Sequence, residues 1–120
     1  MQDIDIIYRN KFGVSFKWKK KMFVPEHKYQ IVFRDTGMLL TLKEIHLFSE
    51  KIHSAKKVAL SCGSCPHKNV SQCKNILVET PSSKISFAMN FNEIELLNEL
   101  IEGTIYNIDL NNLLVDLKIS

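Results

Sequence analysis

Thr41-Leu-Lys-Glu-Ile-His-Leu-Phe-Ser-Glu-Lys-Ile52 aligns without a gap on Asn90-Phe-Asn-Glu-Ile-Glu-Leu-Leu-Asn-Glu-Leu-Ile101. Glu44 and Glu93, Ile45 and Ile94, Leu47 and Leu96, Glu50 and Glu99, and Ile52 and Ile101 are identical. In the first stretch Leu42, Ile45, Phe48 and Ile52 recur at helical spacing, with Leu47 at the side of the stripe. Thr41 followed three residues later by Glu44 is the signature of a capping box at the start of that helix. The second stretch repeats the stripe with Ile94, Leu97 and Ile101, flanked by Leu96 and Leu100, and Asn90 or Asn92 caps it. The first helix is expected to end near Ala55 and the second at Gly103, a C-cap residue.

Each helix follows a stretch that reads as a hairpin. Residues 31–40 fold back at Arg34-Asp35-Thr36-Gly37, where Gly37 accepts the positive φ of a tight turn. Residues 76–89 turn at Pro81-Ser82-Ser83. The pattern is a β-β-α unit at about 29–55 and again at about 74–103. It has two readings: a duplication, or two amphipathic helices alike because Ile and Leu inside with Glu outside is common. A duplication implies one antiparallel or mixed sheet with both helices packed on one face, so the expected class is α+β in a single domain of residues 1–120.

Further strands precede the first unit. Ile4, Ile6 and Tyr8 alternate, as do Phe12, Val14, Phe16 and Trp18, with Asn10-Lys11 between them as a turn and Gly13 as a bulge. Alternation assigns those aromatic residues to the core. The tail has both periods: Leu110, Leu113, Leu114 and Leu117 at helical spacing, and Leu113, Val115, Leu117 and Ile119 at alternate positions. Leucine dominates, which favours helix. Val58-Ala59-Leu60 reads as a short apolar run leading into Cys62.

The 120 residues carry 16 basic and 13 acidic side chains, a formal charge of +3, with 45% apolar and 24% charged residues. These are ordinary globular proportions, long enough for one core. So mild an excess permits polyanion binding without requiring it. Met1-Gln2-Asp3-Ile4-Asp5 opens on acids rather than on a basic region and an apolar leader. The apolar runs are too short for a bilayer. The expectation is a cytoplasmic chain with no membrane contact.

Chemistry concentrates in Cys62-Gly-Ser-Cys65-Pro-His67-Lys-Asn-Val-Ser-Gln-Cys73. Three clustered thiols, an odd number, do not make a secreted disulfide framework. Cys62 and Cys65 are spaced to meet one ion, Cys73 supplies a third ligand, and His67 or the rival His53 a fourth. That set suits a closed, structural zinc site. The same residues also read as plain reduced thiols, or as a redox pair at Cys62 and Cys65. The redox reading lacks a helix of useful length after the motif to lower the first thiol's pKa. The stretches Ile31-Val-Phe-Arg-Asp-Thr-Gly-Met-Leu-Leu-Thr-Leu42 and Cys73-Lys-Asn-Ile-Leu-Val78 resemble parts of a family of small uncharacterised bacterial proteins, a domain of unknown function. In that family a Cys-x-x-Cys segment precedes a hairpin and a helix. The resemblance covers about half the chain and implies the layout of the unit without an activity. The first copy has no cysteines; only His27 stands near the corresponding place.

Lys17, Trp18, Lys19, Lys20 and Lys21 form a second candidate, in which lysines would neutralise phosphates and Trp18 would stack on an unpaired base. On a flat strand Lys17 and Lys19 face away from Trp18, which weighs against nucleic acid. His27, His46 and His53 form no triad with an acid and a nucleophile, and the scattered glycines make no phosphate loop. Glu93, Glu95, Glu99 and Glu102 read as the solvated face of the second helix. The functional expectation is a non-enzymatic binding or regulatory module, with a protein partner or self-association open to it. A thiol redox protein and a single-stranded nucleic-acid binder are the alternatives.

Overall fold

Among the described residues every strand belongs to an antiparallel hairpin pair. The computed structural model describes residues 4–19, 27–61, 76–82 and 84–119. In chain order these form β1 (Ile4–Arg9), β2 (Gly13–Trp18), β3 (Lys28–Phe33), β4 (Thr36–Thr41), α1 (Leu42–Ser61), β5 (Ile76–Glu79), β6 (Ser86–Met89) and α2 (Phe91–Ile119). At the first turn the Asn10 side-chain oxygen accepts from the amides of Phe12 and Gly13 at 2.9 and 3.1 Å. This closes a side-chain turn of the kind asparagine favours. Its amide nitrogen donates to the Leu96 carbonyl and to Glu99, both at 2.9 Å, which ties the hairpin to α2.

The architecture is α+β. An antiparallel sheet in the order β1-β2-β3-β4 and a separate antiparallel pair β5-β6 accompany the two helices. The two hairpin-helix units therefore do not share one sheet. Their helices do converge: Ile45, Phe48 and Ile52 of α1 and Ile94, Leu97 and Ile101 of α2 are fully buried in one cluster. Ile31, Phe33 and Leu40 join it from the larger sheet, and Val78 and Met89 from the smaller. Phe33 links the parts, with its ring 5.1 Å from Phe87 and 5.5 Å from Phe12.

Both helices begin on the same device. Thr41 and Glu44 exchange side-chain-to-amide bonds at 2.9 and 3.2 Å. Asn90 and Glu93 do so at 3.0 and 2.8 Å. The helices end later than their sequences suggest. Ala55 and Ala59 continue the buried stripe of α1, so Val58-Ala59-Leu60 lies in helix rather than in a separate apolar run. Lys56, Lys57 and the alanines are good helix formers, and no breaker intervenes before Gly63. Gly103 does not end α2, which continues to Ile119. A Cβ there would lie 2.5 Å from the Tyr8 ring, so this glycine admits a strand rather than stopping a helix. The tail is helical, as its leucine spacing suggests.

Two further positions differ from expectation. The turn between β3 and β4 holds only Arg34 and Asp35, and Arg34, not Gly37, has the positive φ, at 54°. Gly37 pairs with Val32 inside the ladder. The Arg34 side chain donates to the Ala88 carbonyl at 3.2 Å and pairs with Glu93 at 2.5 Å, contacts that hold the residue in its uncommon conformation. The bulge is in β1, at Ile7, not at Gly13: Ile6 pairs with Phe16 but Tyr8 with Ser15. One extra residue reverses the faces, so Ile7 and Tyr8 both pack on the core while Ile4 and Ile6 share the opposite face with Trp18 and Phe16.

Candidate functional site

The bulge decides what the larger sheet shows to solvent. On β2 the side facing α2 carries small residues: buried Ser15 sits with its hydroxyl 2.6 Å from that of Thr104, which itself donates to the Leu100 carbonyl. Val14, Phe16 and Trp18 consequently occupy the face opposite Ser15, which corrects the assignment of Val14 and Trp18 to the core; Phe16 is buried but stands outside the main cluster. The Phe16 ring meets Trp18 edge-on at 5.2 Å.

Cross-strand pairs share a face, so the register gives the rest of that surface. Ile4 pairs with Trp18, Ile6 with Phe16, and Arg9 with Val14. Val14 pairs with Val32 and Phe16 with Gln30, and Gln30 pairs with Leu39. The result is an apolar field of Ile4, Ile6, Val14, Phe16, Trp18, Val32 and Leu39. Ile6 is 53% and Trp18 37% exposed. The Trp18 indole donates to Gln30 at 3.3 Å, which fixes its orientation at the edge of the field. Among the described residues the charged members are Arg9 and Lys28, and no carboxylate belongs to the face. The sign of such a surface in sequence is the small inner pair, Gly13 and Ser15, opposite large Val14, Phe16 and Trp18.

The basic segment divides around this strand. Lys17 turns to the helix side, with its ammonium 5.6 Å from the Tyr29 ring centre. Lys19 pairs with Asp5 at 3.5 Å. Trp18 lies on the other face, so charge and ring do not meet here; Lys20 and Lys21 lie outside the described residues. Lys17, His27, Tyr29, Thr41 and Leu42 line an open groove of about 450 Å³. Burial pushes the Tyr29 hydroxyl above its ordinary range, and the Asp109 carboxylate adds to the shift.

Cys62, Cys65, His67 and Cys73 also lie outside the described residues. Of the fourth-ligand candidates His53 is described: its Nε2 lies 3.1 Å from Glu102. Ser49 donates to the same carboxylate at 2.8 Å. The carboxylate stands between hydroxyl and imidazole, whereas a nucleophilic relay needs the imidazole in the middle. These contacts join α1 to α2. Among the described residues no group of three metal-binding side chains converges, and no helix is long and apolar enough to cross a membrane. The glutamates of α2 are not simply a solvated face: Glu93 caps and pairs, Glu99 holds Asn10, and Glu102 holds Ser49 and His53. No protein-family model, curated protein or solved structure matches the chain.

Proposed function

We propose that this chain is a non-enzymatic binding module, and that the outer face of the β1–β4 sheet receives a partner polypeptide segment bearing apolar side chains beside carboxylates. The observation that carries the reading is an apolar field whose charges, among the described residues, are the cations Arg9 and Lys28. Aliphatic residues outnumber rings on it, which favours a polypeptide over stacked bases, and the separation of Lys17 from Trp18 argues the same way. A large apolar surface rimmed by polar groups is a common mark of an interaction site.

Anilinonaphthalene sulfonate, an apolar dye with one negative charge, tests the chemistry of the face. The native protein is expected to bind it with quenching of Trp18, the chain's one tryptophan. Ile6→Asp is expected to weaken that binding at least tenfold, because it sets a carboxylate against the apolar, negatively charged dye. A native protein that leaves the dye free overturns the reading. Salt-sensitive quenching of Trp18 by a single-stranded oligonucleotide, without dye binding, would assign the face to nucleic acid instead.

We further propose that Cys62, Cys65 and Cys73, with His67 or His53, hold a structural zinc in a cytoplasmic protein. The support is their spacing. Protein purified without added metal is expected to carry one equivalent of zinc and to lose it in Cys62→Ser. Metal-free protein whose Cys62 and Cys65 cycle reversibly between thiol and disulfide would establish the redox alternative.

A further inference from the structure

Asn92, Glu95, Glu99, Glu102, Tyr106, Leu110, Leu113 and Leu117 follow one another along α2 at steps of three or four residues and so trace one line on its surface. The line changes character at Tyr106. Its first half is polar and acidic; its second half is apolar and exposed, between 40% and 67% at Tyr106, Leu110, Leu113 and Leu117. Leu114, also exposed, widens the stripe. Among the described residues the last core residue of the helix is Ile108, and the apolar stretch runs on beyond it. The molecule measures 55 by 29 by 25 Å.

The geometry points to self-association of the chain through this stripe, with the residue 106–117 stretch of α2 packed antiparallel on the same stretch of a second copy. The steps from Tyr106 are four, three and four residues, the alternation that lets two helices interlock side chains along a common seam. A second copy is the partner that carries the matching seam. The other half sets the direction: Glu99 and Glu102 there already hold Asn10 of the β1–β2 turn and Ser49 and His53 of α1, so a parallel pair would bring the two bodies and their acidic side chains to the same end, whereas an antiparallel pair moves them to opposite ends. In the antiparallel arrangement Leu110 of each copy packs on Leu113 of the other. The two stripes together remove on the order of 1,000 Å² from water, the lower bound for a specific interface, so the dimer is weak and reversible. This inference is independent of the sheet-face reading, since the two surfaces share no residue.

Sedimentation equilibrium of the full chain tests it. A monomer–dimer equilibrium is expected, with a dissociation constant on the order of 10 μM. Leu110→Lys and Leu113→Glu are each expected to weaken it about tenfold or more, with circular dichroism unchanged because both positions are exposed. Mixing those two variants is expected to restore association, because the antiparallel register sets Lys opposite Glu. A chain that remains monomeric into the millimolar range overturns the inference. So does dimerisation that survives both substitutions, and weakened variants that fail to complement each other overturn the antiparallel register.

Discussion

Gly103 sits within α2, where a glycine costs roughly 1 kcal/mol of helix stability relative to alanine. What it provides is contact: the Tyr8 ring of the bulged strand lies against the helix backbone at that point. Gly103→Ala therefore sets a propensity gain against a steric clash, and a ring packed between strand and helix has little room to withdraw. The expected result in urea denaturation is net destabilisation of about 1–2 kcal/mol, overpacking exceeding propensity. In a Tyr8→Ala background the same substitution should become neutral or stabilising, and a double-mutant cycle reads that coupling. Tyr29 supplies a residue-scale prediction of another kind. Burial first, and Asp109 second, raise the pKa of its hydroxyl in the folded protein above the unfolded value near 10.0. The folded state thus holds the proton more tightly than the unfolded state. The stability this contributes is fully present below pH 10 and is lost as pH rises through the higher folded value. Denaturation midpoints measured across the alkaline range should fall more steeply in the native protein than in Tyr29→Phe.

At the scale of elements, the two helices do similar work. Each starts on a side-chain and backbone exchange at the end of a hairpin, and each directs fully buried apolar residues into the common cluster, Ile45, Phe48 and Ile52 from α1 and Ile94, Leu97, Leu100 and Ile101 from α2. Phe48 is the largest of the α1 set; its ring lies 6.4 Å from that of Phe33, which places it between the helix and the larger sheet. Phe48→Ala should cost about 3–5 kcal/mol, the range for removing a buried aromatic ring, and near-native stability in a denaturant titration would contradict that placement. Surface pairs such as Lys51 with Glu79, at 2.6 Å, add much less, because both partners remain partly in water.

Across the whole molecule, the local rules were legible and the long-range ones were not. Capping at Thr41, the turn at Asn10 and the stripes through Ile45 and Ile94 depend on neighbours within a few residues, and their spacing in sequence carries them. Whether Phe16 faces in or out depends on an extra residue in β1 and on the closeness of α2, nearly ninety positions away along the chain. Alternation in β2 identifies two faces but cannot say which one a helix will cover. Gly103 misleads for the same reason: the feature that makes it useful, the Tyr8 ring, is remote in sequence. The cysteine segment was the clearest chemical signal in the sequence, and it lies outside the described residues.

The bond from Asn107 to the Ile7 carbonyl, 2.7 Å long and 100 positions apart in sequence, has a consequence during synthesis. When the ribosome has delivered the four strands of the larger sheet, the residues that cover the inner face of β1 and β2 have not yet been made. At about 5–20 residues per second, that face waits several seconds for α2. A nascent chain paused before residue 91 should therefore recruit chaperones that recognise exposed apolar strands, and release them once residue 108 has emerged from the exit tunnel.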